Sequence, residues 1–362
     1  MSKLIPSYIE NLAPYIPGRL VEEVEAELGL RDIVKLGSNE NPLGPSPKAL
    51  AAMVTAITRS NRYSDSDSRL FRKSLSEKLG YPLESILAGN GSSEFILMLC
   101  HSLLGPGLKA VMSRPSFSLY ALNARAAGAE VLEAPLTPDY GHDLAALRRL
   151  VDERTRLVFL DNPLNPTGAW LKAEDLLEFH RSLPEETILV MDEAYVDFSR
   201  QPKVDWREAL ISPGRLAVLR TFSKAYGLAG LRVAYALMEP ALVEALNRVS
   251  QPFNLNNVAQ AAAVAVLDDE EYLRKSLQTV WDGLDYFRRE LKALGLEPYP
   301  TEANYMMVGL GRRSSAEVFQ AILRQGVITR SLASMGLPHH LRFCVGLPRE
   351  NEALVKAFKN VL

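Results

Sequence analysis

The chain has 362 residues, carries 41 lysines and arginines against 43 aspartates and glutamates, and has a formal net charge of -2. That balance leaves no basic field for nucleic acid or an anionic membrane, so the expected partners are small molecules. The length suits two domains or a little more, and Cys100 and Cys344, far apart and without metal-ligand spacing, read as reduced packing residues of a cytoplasmic protein.

Residues 1–28 read as an N-terminal arm, broken by Pro6, Pro14 and Pro17 before an acidic helical piece over 21–28. No signal peptide, transit segment or membrane-spanning run is visible. A short strand is expected at 33–36, then a loop forced by Pro42, Pro45 and Pro47, a helix through Ala56 and another over 70–79. Ser85 to Ala88 reads as a strand that runs into Gly89-Asn90-Gly91-Ser92-Ser93 and an apolar helix over 94–104. A glycine turn opening a helix is a ready anion site, because unpaired backbone N–H groups and the helix dipole both favour phosphate. An ordinary turn with an N-cap is the alternative.

The next strand is Lys109 to Met112, and Pro115 to Tyr120 opens a helix. Three further apolar runs then end abruptly in polar groups. Arg156 to Leu160 runs into Asp161-Asn162-Pro163-Leu164-Asn165-Pro166-Thr167-Gly168, and Thr187 to Met191 into Asp192-Glu193-Ala194-Tyr195. Leu216 to Leu219 runs into a segment from Arg220 to Arg232 that holds Thr221, Ser223 and Lys224. Such alternation predicts an α/β fold, with a mostly parallel sheet flanked by helices and ligands bound at the carboxyl ends of its strands. There Lys224 would be a nucleophile toward a carbonyl, and Thr221, Ser223 and Arg232 the clamp of a phosphorylated aldehyde. A carboxylate at Asp192 would hold a pyridine nitrogen protonated, while Asn165 and Tyr195 would donate hydrogen bonds to a ring oxygen. Each segment alone reads equally as a turn, a cap or a surface charge; three such strand ends in one chain point to a shared site.

Beyond Gly230 a helix is expected over 240–248, then a long helical stretch from Asn257 to about Leu294. Residues 303–310, 327–330 and 341–345 read as strands, and 350–362 as a closing helix. Pro252 with Asn254, Asn256 and Asn257 interrupts the pattern near Gln251. This sets the expected division into a large domain over 29–250 and a smaller α+β C-terminal domain over 251–362.

With these motifs the sequence resembles the fold-type I aminotransferases that use pyridoxal phosphate, and within them the histidinol-phosphate aminotransferases. The resemblance runs nearly end to end, through Tyr15-Ile16-Pro17-Gly18, Lys35 to Pro47, Asn162 to Gly168, Asp192 to Tyr195, the lysine segment, Pro252 to Asn256, Ala303-Asn304-Tyr305 and Leu341 to Gly346. The block from Ser38 to Gly44 is what points to the histidinol-phosphate branch. The resemblance implies that Lys224 carries the cofactor and later serves as the base, that Asp192 keeps the ring protonated, and that Asn165 and Tyr195 hold its oxygen. It places Gly91, Ser92, Ser93, Thr221, Ser223 and Arg232 on the phosphate and Phe117 against the ring. Arg342 is expected on the substrate carboxylate or its equivalent anion, Arg330 on the substrate phosphate, and Tyr15 and Asn39 on the substrate side. Tyr63, in Arg62-Tyr63-Ser64-Asp65, matches a tyrosine that reaches the phosphate of a second subunit, so a homodimer with shared sites is implied. Three residues depart from the common pattern: Ser93 where an acidic residue is frequent, Ser64 where proline is, and Ala234 where glycine is.

The reaction implied is transamination of histidinol phosphate with 2-oxoglutarate, giving imidazole acetol phosphate and glutamate in histidine biosynthesis. An aromatic-amino-acid aminotransferase is the alternative, and a threonine-phosphate decarboxylase a more distant one, against which Glu40 speaks. Metal catalysis is not expected. His101, His142, His180, His339 and His340 form no helical ligand pair with a supporting carboxylate, and neither a nucleophile elbow nor a Walker loop occurs.

Overall fold

The apolar runs that end in Asp161, Asp192 and Thr221 lie side by side at the centre of a seven-stranded sheet. The computed structural model describes residues 4–212 and 214–362, so the first three residues of the expected arm lie outside it. The chain opens with α1 (Ser7–Glu10), α2 (Val21–Leu28), β1 (Val34–Lys35), α3 (Pro47–Ile57) and α4 (Arg69–Leu79). The large sheet is then built from β2 (Ile86–Gly89), α5 (Ser92–Leu103), β3 (Lys109–Arg114), α6 (Leu119–Ala126), β4 (Glu130–Pro135), α7 (Leu144–Leu150) and β5 (Thr155–Asp161). It continues through α8 (Ala173–Ser182), β6 (Ile188–Asp192), α9 (Arg207–Ile211), β7 (Leu216–Thr221), β8 (Ala234–Met238), α10 (Pro240–Asn247) and α11 (Asn257–Leu267). Last come α12 (Glu270–Ala293), β9 (Glu297–Pro298), β10 (Tyr305–Gly309), α13 (Ser315–Leu323), β11 (Val327–Ile328), β12 (Arg330–Ser331), β13 (His340–Cys344) and α14 (Pro348–Val361).

The large sheet has the order β2-β8-β7-β6-β5-β3-β4, parallel throughout except for β8, which runs antiparallel to both neighbours. Its strands read as unbroken apolar runs because both faces are covered. Along β5, Leu157 and Phe159 join a core with α5, α6 and α10, while Val158 and Leu160 turn to the opposite core with α4, α8 and α11. Successive side chains alternate faces, so each residue of the strand meets a helix layer. A second unit is an antiparallel sheet, β12-β13-β10-β9, packed on α12, α13 and α14 around Phe287, Phe343 and Phe358.

The structure differs from the sequence expectation in several places. The long helical stretch expected from Asn257 to about Leu294 is two helices, because Asp268 and Asp269 leave the helical path; Glu270 and Glu271 then occupy the first turn of α12, where the helix dipole favours them. The strand expected over 327–330 divides at Thr329, with β11 pairing in parallel with β1 and β12 pairing with β13. Strand β8 was not expected; it returns after the lysine segment and inserts between β2 and β7. Strand β4 and helices α7, α8 and α13 also lie outside the expected elements. Helix α11 follows the division expected near Gln251, yet Ala259, Ala262, Ala263 and Val266 pack with α3 and α4 in the core of the large sheet.

Candidate active site

Parallel register brings the polar strand ends to one edge. Asp161 pairs with Asp192 across β5 and β6, and Asp192 with Leu219 across β6 and β7, so Thr221 and the lysine segment follow directly. A cleft of about 300 Å³ opens above them, lined by Tyr15, Asn39, Ser92, Ser93, Phe117, Asn165, Asp192, Tyr195, Thr221, Ser223, Lys224, Arg232, Arg330 and Arg342. These are the expected site residues apart from Gly91 and Tyr63.

At one end the chain forms a cradle of donors. Helix α5 begins at Ser92 and presents unpaired N–H groups, as any helix start does. Gly91 caps it at φ +82°, and a Cβ there would overlap the Arg232 guanidinium, so the glycine is what lets the arginine lie across the helix start. Arg232 Nη1 donates to Ser223 Oγ at 3.3 Å and to the Ala229 carbonyl at 3.1 Å, and Thr221 Oγ1 donates to Ser223 Oγ at 3.0 Å. Two hydroxyls, a guanidinium and a helix N-terminus converge there. Ser93, one of the departures, lines this end; Ala234 opens β8 opposite Thr221 and Gly89, and Ser64 is not among the lining residues.

Lys224 reaches back toward the N-terminal loop. Its Nζ donates to the carbonyls of Ser38 and Asn39 at 3.3 and 3.1 Å and lies 5.5 Å from the centre of the Tyr195 ring. Asn39, at φ +54°, donates from Nδ2 to the Tyr195 hydroxyl at 2.9 Å, which leaves the phenol proton free to be given elsewhere. Asn304 Nδ2 also donates to the Asn39 carbonyl, at 3.2 Å. Gly37 stands in the same loop, where a Cβ would come within 2.7 Å of the Thr329 carbonyl oxygen and leave no room for a side chain.

Asp192 lies buried at the base of the cleft. Its Oδ2 accepts the Tyr120 hydroxyl at 2.9 Å and its Oδ1 the Ala194 N–H at 3.0 Å. Burial pushes its pKa up from 3.8 to about 6, against the pull of those two donors. The Tyr120 ring stacks on Phe159 at 4.9 Å and meets Phe117 edge-on at 5.5 Å, so one aromatic column supports both the carboxylate and the lining phenylalanine. Sequence reasoning missed Tyr120, although it stands three residues after Phe117, in the first turn of α6. It also gave no role to Asp161, although this residue ends an apolar run at the same edge; the strand register puts it beside Asp192.

At the mouth, Arg342 Nη1 donates to Asn165 Oδ1 at 2.5 Å and Nη2 to the Gly37 carbonyl at 3.1 Å. The oxygen of the Asn165 side chain is thus taken and its amide remains as the donor. Arg330 donates to the Ile16 and Pro17 carbonyls at 3.2 and 3.4 Å, tying the arm and its half-exposed Tyr15 to the rim. Burial and the nearby Arg342 charge lower the Arg330 pKa. Tyr63 lies away from the cleft, 84% exposed and stacked on Phe253 at 4.5 Å.

Buried polar atoms without hydrogen-bond partners gather around this cleft: Asn39 Oδ1, Asp161 Oδ1 and Arg342 Nε. An amine, a buried carboxylate, an aromatic face and a cradle for a dianion together fit a phosphorylated pyridine aldehyde. Among the described residues no group of three histidines, cysteines or acidic side chains could hold a metal ion. No described helix is long and apolar enough to cross a membrane. Residues 31–358 match the family model for aminotransferase class I and II. Histidinol-phosphate aminotransferase 2 of Pseudomonas fluorescens is 43% identical over 98% of this chain and 96% of its own. The histidinol-phosphate aminotransferase of an Anaeromyxobacter species is 42% identical over 99% of both chains. The crystal structure of histidinol-phosphate aminotransferase from Sinorhizobium meliloti in complex with pyridoxal-5'-phosphate superposes with a TM-score of 0.91 at 28% identity, covering 100% of this chain and 98% of that one.

Proposed function

Because the chain belongs to the aminotransferase class I and II family, we propose that it transfers the amino group of histidinol phosphate to 2-oxoglutarate, with pyridoxal phosphate as its cofactor. The observation that carries this reading is the single cleft in which Lys224 Nζ, the buried Asp192 carboxylate and the Thr221–Ser223–Arg232 cradle meet. The cofactor, when bound, supplies an electrophilic aldehyde and a ring that withdraws electrons from the substrate's reacting carbon.

The chain's own residues do the rest. Gly91, Ser92, Ser93, Thr221, Ser223 and Arg232 would hold the phosphate, and Phe117 would stack on the ring. Asp192 would keep a proton on the ring nitrogen, its charge fixed in direction by Tyr120 and Ala194. Asn165 and Tyr195 would donate to the ring oxygen, the two donors being freed by Arg342 and Asn39. Lys224 Nζ would take the proton from the reacting carbon and return it at the end of the half-reaction. Arg342 would meet the anionic group of each substrate and Arg330 the phosphate of histidinol phosphate, with Tyr15 and Asn39 closing the substrate side.

A homodimer belongs to this proposal. Leu50, Val54 and Ile57 form an exposed apolar stripe on α3, and Leu97 is half-exposed on α5, the pattern of a surface that another chain covers. Tyr63 would then reach the phosphate of the second subunit. Borohydride reduction of the yellow holoenzyme followed by peptide mapping tests the assignment: the pyridoxyl group is expected on Lys224, and label on another lysine refutes it. Lys224→Ala is expected to abolish transamination while still binding pyridoxal phosphate.

A further inference from the structure

We propose that Asp161 is a second carboxyl of this site, held neutral beside an ionised Asp192, and that it is a positioning residue which seats the backbone of Asn165. The meaning given to Asn165 rests on the proposed function; the state of Asp161 does not. Asp161 and Asp192 are cross-strand partners at the ends of β5 and β6, only 3% and 5% exposed. Two adjacent buried carboxylates do not both stay ionised without compensating charge. Their donors are unequal. Asp192 receives the Tyr120 hydroxyl and the Ala194 N–H. Asp161 receives the Asn165 N–H at 2.7 Å on Oδ2, and its Oδ1 has no hydrogen-bond partner among the described residues.

Among the described residues no cation faces Asp161 to hold it ionised. His142 Nε2 lies 3.6 Å from Oδ1, but this nitrogen bonds the Asp161 carbonyl at 2.9 Å while Nδ1 takes the Ser113 hydroxyl at 2.7 Å. Burial lowers the His142 pKa to about 4, so the ring is neutral near physiological pH. The other titratable groups toward it, Tyr120 and Tyr305, are buried phenols whose proton affinity is raised as well. The negative charge therefore settles on Asp192 and the proton on Asp161, whose carboxyl is raised well above the usual range by burial first and by the Asp192 charge as well. Asn165 is thereby held from two sides, its side-chain oxygen by Arg342 and its backbone nitrogen by Asp161.

Two variants separate the neutral acceptor from a charge. Asp161→Asn keeps a neutral oxygen for the Asn165 N–H; Asp161→Ala removes it. Infrared spectra of the cofactor-free proteins near neutral pH are expected to show a protonated-carboxyl stretch in the wild type that is lost in both variants. Titration with pyridoxal phosphate is expected to give Asp161→Asn an affinity within about twofold of wild type and Asp161→Ala one about tenfold weaker, the scale of one unsatisfied buried N–H. Absence of the stretch from wild type, or its persistence in Asp161→Asn, overturns the neutral state whatever the protein catalyses. An Asp161→Asn affinity as weak as that of Asp161→Ala, or an Asp161→Ala affinity equal to wild type, overturns the positioning role.

Discussion

Asp192 couples the stability of the cofactor-free protein to pH. Its folded pKa of about 6 stands above the ordinary value of 3.8, so folding favours the protonated form. The stability this contributes is complete below about pH 4 and is lost as pH rises through about 6; the full shift corresponds to about 3 kcal/mol. His142, lowered to about 4, acts in the opposite sense over the same range, because the unfolded imidazole takes up a proton as pH falls. Urea unfolding of wild type against Asp192→Asn from about pH 4 to 7 reports the contribution of Asp192 together with its coupling to Asp161. The difference is expected to move against wild type as pH rises, and a flat difference would mean that Asp192 titrates normally. In the loaded enzyme Asp192→Asn is expected to retain the cofactor and to slow turnover by a hundredfold or more, on the order of the loss of one preorganised electrostatic group. Arg330→Ala is expected to lower kcat/KM for histidinol phosphate by roughly 10- to 150-fold, the range of one charge-assisted hydrogen bond, and to affect phenylalanine much less. Equal losses on both substrates would show that Arg330 does not read the phosphate.

Among the elements, the start of α5 carries the sharpest test of the cradle. Gly91→Ala would force an alanine to φ +82° and set its Cβ against the Arg232 guanidinium. The affinity for pyridoxal phosphate, measured by equilibrium titration, is expected to fall by at least about tenfold, the scale of one charge-assisted hydrogen bond lost when the guanidinium is displaced. An unchanged affinity would move the phosphate elsewhere. The sequence carried the strands β5, β6 and β7 plainly, since burial on both faces makes each an apolar run ending in polar groups. It carried β8 poorly, because the segment Ala234-Tyr235-Ala236-Leu237-Met238 follows the lysine motif with no turn signal between them. The break between α11 and α12 was legible as the acidic run Asp268-Asp269-Glu270-Glu271, which suits a helix start because the dipole favours acidic residues in the first turn. Register is set by pairing over long sequence separation, so the meeting of Asp161 with Asp192 and of Tyr120 with Asp192 had to await the fold. We propose that the smaller unit begins at α12 rather than near Gln251, since α11 packs on α3 and α4.

For the molecule as a whole, the site is incomplete within one chain if Tyr63 serves the second subunit. Mixing a Lys224→Ala chain with a Tyr63→Phe chain is expected to yield mixed dimers in which one site carries both lesions and the other neither. Recovery of activity above the average of the two parents bears this out, and a simple average speaks against a shared site. Tyr63 was legible in the sequence only through its family motif, because an exposed tyrosine on a loop has no signature of its own. The central claim is the substrate. Steady-state kcat/KM measured side by side on histidinol phosphate and phenylalanine, with 2-oxoglutarate as acceptor, tests it most directly. The account predicts that histidinol phosphate is turned over with the higher kcat/KM; preference for phenylalanine, or no turnover of histidinol phosphate, would contradict it.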